Sequence, residues 1–250
     1  MEIPVQFDWK GSSLLGILHQ VSHFHAPLIF FLHGIPGDRV DTRRLPVRMA
    51  RILQKRGIAS LRIDFYGSGV SDGCFYEVTL DQQLEQILFL IKEIRSRRMS
   101  GGPIVLLGFS AAAKTALAAA EYERDLAGVC LWNGIVAREQ MEKKHVIRRL
   151  YRVNGQMVFN IGYGVWLNKD LLTESDKFTF SDERPFPDLP ILGIYGKLDT
   201  LTLSSRGLLE RKGCSVQLIP DADHLFTRSC WESALMSRTE EWLIQLFGMR

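Results

Sequence analysis

The sequence has few cysteines and little net charge, and these two features exclude several classes of function. Four cysteines occur in 250 residues, without C-x-x-C spacing or a nearby histidine pair, so neither a zinc site nor a disulfide framework is predicted. The formal net charge of +3 is too small to indicate nucleic-acid binding, because basic residues are not interleaved with base-stacking aromatics. No apolar run approaches the roughly 20 residues of a membrane span. We therefore predict neither a metal site nor a nucleic-acid partner nor a membrane span.

The first nine residues also lack a targeting signal. They alternate polar and apolar side chains, as a strand does, and have neither the basic start nor the apolar centre of a signal peptide. A cytoplasmic location is the default expectation.

Length and composition favour one compact unit. With 46% hydrophobic and 24% charged residues, the chain resembles an ordinary globular protein, and 250 residues can bury a large single core. Buried-strand patterns alternate with helical ones, which predicts a doubly wound, mostly parallel α/β sheet with a short antiparallel hairpin at its edge. The clearest predicted helix runs from Thr79 to about Arg98, where Thr79 and Gln82 form a capping box. Eight strands are expected, at about 3–9, 14–20, 28–33, 59–65, 104–109, 128–133, 191–196 and 214–219.

The most informative local pattern is Gly108-Phe-Ser110-Ala-Ala112, between an aliphatic run and an alanine-rich helical stretch. A serine at a strand-to-helix turn, with small residues two positions away on either side, is the nucleophile-elbow pattern. Ala112 stands where glycine is usual. The sharp turn has room only for small flanking side chains, and it holds the serine hydroxyl clear of the sheet at the positive end of a helix dipole. Ser110 is therefore the candidate nucleophile.

An activated serine needs a base and a group that orients that base. Asp199 and His224 each follow a predicted buried strand, and parallel sheets collect such loops at one edge. The order Ser110, Asp199, His224 predicts a catalytic triad. Asp221 and Asp223 are weaker alternatives to Asp199, because both are so close to His224 in sequence that reaching its far ring nitrogen is awkward.

The motifs of this chain and their order resemble the α/β-hydrolase family over nearly the whole chain. They are the His-Gly loop at 33–37, the D-x-x-G-x-G-x-S segment that begins at Asp64, the serine turn, and the Asp199 and His224 loops. The chain is most similar to small serine hydrolases grouped with the S33 peptidases, which include monoglyceride-lipase-like and feruloyl-esterase-like enzymes.

The resemblance implies roles for further residues. Backbone amides of Ile35 and Ala111 would form an oxyanion hole. His33, Gly34 and Gly108 would support the loops around it. The Asp64 segment is interpreted as a turn-stabilising loop, and Asp64 as a poor candidate for the triad acid.

About 55 residues between Asn133 and Pro190 lack a clear buried strand. In the resembling family a cap is usually inserted here, after the sixth strand, so 134–188 is the predicted cap, and 1–133 with 189–250 the predicted core. Residues 138–154 are expected to form a basic amphipathic helix. Its cationic side is either a solvated face or a surface that attracts an anionic substrate, an acyl carrier or a membrane surface. The aromatic segment 157–167 either lines an acyl pocket or packs the cap on the core.

The predicted function is hydrolysis of a carboxylic ester or thioester of a small-molecule substrate, through an acyl-enzyme and without a cofactor. A thioesterase acting on acyl-carrier or acyl-CoA substrates is one alternative, and a non-catalytic binding protein that keeps the hydrolase fold is another. Since ester and thioester hydrolysis use the same triad, the sequence does not choose between them.

Overall fold

The structure is a computed structural model that describes residues 1–138, 149–162 and 164–249. Its centre is an eight-stranded sheet in the order β1-β2-β4-β3-β5-β6-β10-β11. β1 and β2 pair antiparallel, as do β2 and β4, whereas all other neighbours are parallel. The strands of this sheet are β1 (Glu2–Trp9), β2 (Ser12–His19), β3 (Leu28–Leu32), β4 (Ala59–Ile63), β5 (Ile104–Phe109), β6 (Leu126–Trp132), β10 (Ile191–Gly196) and β11 (Ser215–Ile219). The predicted doubly wound α/β sheet is confirmed.

Helices cover both faces of this sheet, because successive side chains of a strand point to opposite sides. The helices are α1 (Leu45–Lys55), α2 (Leu80–Ser96), α3 (Ala112–Tyr122), α4 (Asp170–Lys177), α5 (Leu203–Arg211) and α6 (Ser229–Leu246). Phe30 in the centre of β3 packs with buried residues of α2, α3 and α5. The neighbouring Phe31 packs on the other face, with residues of α1 and α6.

The α2 helix begins as its sequence predicts. Thr79 Oγ1 accepts a hydrogen bond from the Gln82 N–H at 3.1 Å, and Gln82 Oε1 accepts one from the Thr79 N–H at 3.2 Å. This reciprocal pairing satisfies two N–H groups that the first helical turn leaves without intrahelical partners.

Between β6 and β10 the chain forms a second, three-stranded antiparallel sheet, made of β7 (Leu150–Val153), β8 (Gln156–Asn160) and β9 (Trp166–Asn168). The predicted helix over 138–154 is therefore wrong at 150–153, and residues 139–148 lie outside the described residues. Asn154 and Gly155, with φ of 48° and 82°, form the tight turn that joins β7 to β8. The prediction that a basic helical face contacts an acyl carrier therefore fails at 150–153, because these residues form a strand.

This small sheet packs on the core through a separate apolar cluster. Phe159 is fully buried and joins Leu80, Leu167 and Phe178 in that cluster, and the partly buried Ile35 packs against it. Of the two interpretations of segment 157–167, packing against the core therefore applies to Phe159 and Leu167. The division into core and cap at 134–188 stays a prediction.

Within the described residues, no helix has both the length and the apolar character to cross a membrane.

Candidate active site

The site lies where the parallel strands end. β5 ends at Phe109, β6 at Trp132, β10 at Gly196 and β11 at Ile219, and β10 pairs with both β6 and β11. Loops that follow neighbouring parallel strands meet at one edge of the sheet. That edge brings together the segments carrying Ser110, Asn133, Asp199 and His224.

Ser110 sits on a tight turn in the left-handed region, with φ of 52°. This conformation costs a non-glycine residue about 1–2 kcal/mol. Its N–H donates to the Trp132 carbonyl at 3.0 Å, and its carbonyl accepts from the Ile135 N–H at 2.9 Å. A Cβ at Gly108 would lie 3.0 Å from the Ala112 carbonyl oxygen, so the turn leaves little room for a larger residue at 108.

The structure places the three predicted triad residues in one hydrogen-bonded chain. Ser110 Oγ lies 2.9 Å from His224 Nε2, and His224 Nδ1 lies 2.7 Å from Asp199 Oδ2. These contacts fit the tautomer in which Nδ1–H donates to the carboxylate and Nε2 accepts from the serine hydroxyl. The Phe109 ring stacks beside the imidazole, with centroids 5.8 Å apart, and restricts its tilt.

The Asp199 carboxylate is buried and held from its own loop. Oδ1 accepts from the Leu201 N–H at 3.0 Å, and Oδ2 accepts from Thr202 Oγ1 at 2.9 Å. The side chain is only 1% exposed. Hydrogen bonds to both carboxylate oxygens fix the orientation of the side chain, so the imidazole meets a fixed acceptor.

The two alternative acids do not take this place. Asp223 accepts hydrogen bonds from the Leu225 N–H at 3.1 Å and the Thr227 N–H at 3.0 Å, within its own turn. Asp221 is exposed and has φ of 56°. Asp64 is fully buried, accepts from the Arg39 N–H at 2.6 Å and the Val70 N–H at 2.9 Å, and pairs with the Arg39 guanidinium. Asp64 therefore connects the loop after β3 to the loop after β4.

Asn133 is a site residue that the sequence analysis missed. It is fully buried at the end of β6 with φ of 41°. Its Oδ1 accepts from the Gly196 N–H at 2.7 Å, and its Nδ2 donates to the carbonyls of His224 at 2.8 Å and Asp223 at 3.1 Å. One side chain thus joins the loop that leads to Asp199 to the loop that carries His224. No local pattern marks it, because its partners lie 63 to 91 positions away.

The loop after β3 lies against the serine turn. A Cβ at Gly34 would be 3.4 Å from the Ser110 Cβ. The buried His33 accepts from the Phe65 N–H at Nε2 (3.2 Å), and its Nδ1 lies 2.9 Å from the Gly34 carbonyl. Within the described residues, the Ile35 and Ala111 N–H groups donate no hydrogen bond, so both remain available to a ligand.

A cavity of about 480 Å³, here called the serine cavity, opens at this point. Ile35, Phe109 and Leu225 provide apolar walls beside Ser110 and His224, and Asp41 also lines it. Burial raises the pKa of the Asp41 carboxyl above its usual range. A larger cavity of about 850 Å³ lies beside α5 and includes none of the three triad residues.

In the described part of the chain, no group of three or more His, Cys, Asp or Glu side chains is placed to hold a metal ion.

Comparison with known proteins agrees with this architecture. Est1E from Butyrivibrio proteoclasticus, solved with ferulic acid bound, superposes with a TM-score of 0.81 at 20% identity, over 98% of this chain and 99% of that one. The esterase domain of a Rhodothermus marinus protein superposes with a TM-score of 0.70 at 19% identity, over 97% of each chain. Mouse alpha/beta hydrolase domain-containing protein 10 superposes with a TM-score of 0.73 at 15% identity, over 98% of this chain and 99% of that one.

At these identities the structural matches show the fold alone. No curated protein matches the sequence significantly. The model of the alpha/beta hydrolase family, however, matches residues 29–234, a range that begins in β3 and includes all three predicted triad residues. The chain therefore belongs to the alpha/beta hydrolase family.

Proposed function

We propose that this protein is a serine hydrolase that cleaves a carboxylic ester or thioester of a small-molecule substrate through an acyl-enzyme. The observation that carries the proposal is the contact chain from Ser110 Oγ to His224 Nε2 (2.9 Å) and from His224 Nδ1 to Asp199 (2.7 Å). A serine hydroxyl in contact with an imidazole that a buried carboxylate orients is an activated nucleophile. Ferulic acid bound to Est1E and the esterase domain from Rhodothermus marinus add support for carboxylic-ester chemistry.

In the first half-reaction, Ser110 Oγ bonds to the substrate carbonyl carbon while its proton passes to His224 Nε2. The carbonyl oxygen becomes an oxyanion, which the Ile35 and Ala111 N–H groups stabilise. Losing one such donor typically slows turnover by about 10²–10³. The intermediate collapses, the bond to the leaving oxygen or sulfur breaks, and His224 gives that atom its proton. Asp199 stabilises the imidazolium that exists between these two transfers.

In the second half-reaction, water attacks the acyl-serine carbonyl. His224 takes the proton of the water as the new C–O bond forms, and returns it to Ser110 Oγ as the acyl-serine bond breaks. The carboxylic acid leaves and the free serine is restored. The products are a carboxylic acid and an alcohol from an ester, or a carboxylic acid and a thiol from a thioester.

We assign residues 134–188 the role of a cap on this site. Val165 and Trp166 line a cavity that shares Pro36 and Gly37 with the serine cavity, and Ile35 packs against the cluster around Phe159. Substrate selection would therefore depend on the small sheet as well as on the core.

The test is hydrolysis of p-nitrophenyl esters from acetate to palmitate and of acyl-CoA thioesters, with fluorophosphonate labelling. Wild type should turn over part of this panel, and Ser110→Ala should lose both turnover and label. Ser237→Ala is the matched control, because Ser237 is exposed on α6 and its hydroxyl donates to Glu241 on the same helix. Retained activity in folded Ser110→Ala would refute the assignment. A wild type that neither hydrolyses the panel nor takes the label would favour the binding-protein alternative.

A further inference from the structure

A second cavity lies on the other side of the loop after β3. It has a volume of about 550 Å³ and contains Phe75, Tyr76 and Trp166, and is called the ring cavity. Pro36, Gly37 and Asp38 line both this cavity and the serine cavity. The two cavities therefore adjoin at these three residues.

Side chains of the cap and the core hold the rings of this cavity in place. The Tyr76 hydroxyl accepts a hydrogen bond from Asn154 Nδ2 at 2.8 Å. Trp166 packs edge-on against Tyr151, with centroids 5.1 Å apart and planes at 86°. Phe75 packs against the apolar cluster around Phe159. All three rings are half-buried, so part of each ring surface remains open in a fixed position.

Asp38 is the one charged residue lining the described part of the ring cavity. Its Oδ1 accepts from the Val40 N–H at 2.7 Å and from the Asp41 N–H at 2.9 Å. Its Oδ2 takes no hydrogen bond from any described residue. One carboxylate oxygen therefore holds the loop, while the other is available to a ligand.

No cationic side chain offsets this charge among the described lining residues. Neither cavity has a lysine or an arginine among its described lining residues. The adjacent Arg39 guanidinium pairs with the buried Asp64 and lines neither cavity. An anionic group in the ring cavity would be repelled by the Asp38 carboxylate, whereas a cation would meet that carboxylate and the aromatic rings.

We propose that the ring cavity binds an organic ammonium group of the substrate, with Asp38 as its counter-ion and the three rings as its walls. The proposal rests on the proposed function in one respect: the ammonium group belongs to an ester or thioester that reacts at Ser110. It makes the preferred substrate an amino-alcohol or quaternary-ammonium ester, and it disfavours substrates with an anionic group at this distance from the scissile bond.

The test compares butyrylcholine with 3,3-dimethylbutyl butyrate, two esters that differ only in a quaternary nitrogen or a carbon. Wild type should prefer the choline ester roughly tenfold in kcat/KM, through a lower KM, as expected for a cation over aromatic rings. Asp38→Asn keeps the Oδ1 acceptor for the loop and removes the charge. It should lower the ratio to about two- to fivefold, the preference that the three rings alone supply, chiefly by raising KM for the choline ester. Asp188→Asn, which removes an exposed charge elsewhere, should keep the wild-type ratio.

Binding separates this proposal from the proposed function. Folded Ser110→Ala should bind choline more tightly than 3,3-dimethylbutan-1-ol in a calorimetric titration, and Asp38→Asn in that background should reduce the difference. Such binding without hydrolysis of any ester would refute the proposed function and leave the cation site standing. Hydrolysis with equal kcat/KM for the two butyrates, or with a preference for the neutral one, would overturn the cation site alone.

Discussion

Replacing Asn133 should destabilise the fold and weaken the site together. Removing its side chain leaves the buried Gly196 N–H without its acceptor and the His224 carbonyl without its donor. The Asp223 carbonyl keeps only a long contact of 3.4 Å from the Phe226 N–H. An unsatisfied buried group costs about 1–3 kcal/mol, so the loss in free energy of unfolding should be about 2–4 kcal/mol for Asn133→Gly.

The backbone of Asn133 allows a finer separation. Its φ of 41° suits asparagine and glycine, whereas this backbone conformation is less favourable for alanine by about 1–2 kcal/mol. Asn133→Ala should therefore be less stable than Asn133→Gly by about that amount. In a domain of this size, each kcal/mol lowers the Tm by about 2–4 °C, so both variants should melt clearly below wild type.

The same variants should lose activity, because Asn133 connects the Asp199 and His224 loops. Displacing a reacting group by about 1 Å can cost about 10²-fold in rate, so we expect kcat/KM to fall about 10- to 100-fold on the best p-nitrophenyl ester. Urea unfolding with an unchanged m-value checks the stability change, and steady-state kinetics below the unfolding range check the activity.

A matched control is Asn154→Gly, which changes another positive-φ asparagine, exposed in the β7–β8 turn. It should cost less than about 1 kcal/mol. If Asn133→Gly unfolds at the wild-type urea midpoint and keeps its kcat/KM, the three hydrogen bonds do not carry the role assigned to them.

Two further predictions concern single side chains. Asp199→Asn should lower kcat by about 10³–10⁴, because the imidazole loses its negative partner. Asp221→Asn should lower kcat by less than about threefold. Equal losses of ester hydrolysis in the two variants would contradict the assignment of Asp199. His19 is buried, accepts a hydrogen bond from Arg62 Nε at 3.1 Å, and burial lowers its pKa to about 4. Since the unfolded histidine titrates near 6.5, the unfolded chain binds more protons between these values. Stability is then complete above about pH 6.5 and falls by about 2 kcal/mol on acidification to about pH 5. Urea unfolding at both pH values should show this loss in wild type, and a smaller one in His19→Gln; an equal pH dependence in the variant would refute the role of His19.

Several features follow from short stretches of sequence because their causes are local. The capping box at Thr79 starts α2, and the aliphatic run before Gly108 forms β5. The small residues around Ser110 permit its tight turn. Each depends on neighbours within a few positions, so the pattern itself contains the physical requirement.

Local patterns were ambiguous in the segment after β6. Apolar and basic residues around position 150 fit the spacing of an amphipathic helix, yet 150–153 form a strand. The missed signal is Asn154-Gly155, a dipeptide typical of two-residue hairpin turns. The spacing of apolar and basic residues around position 150 fits a helix or a strand. The strand forms because β7 pairs with β8, and this pairing satisfies backbone hydrogen bonds of both segments.

The sequence by itself determined the doubly wound sheet, the elbow at Ser110 and the candidates Asp199 and His224, because strand periodicity and turn chemistry depend on adjacent residues. Only the tertiary structure decided that Asp199 rather than Asp223 meets the imidazole and that Asn133 joins their loops. It also decided that Asp38 lines one cavity together with three aromatic rings from distant segments. These relations depend on which strand ends lie side by side, and that order is set by packing across the whole sheet.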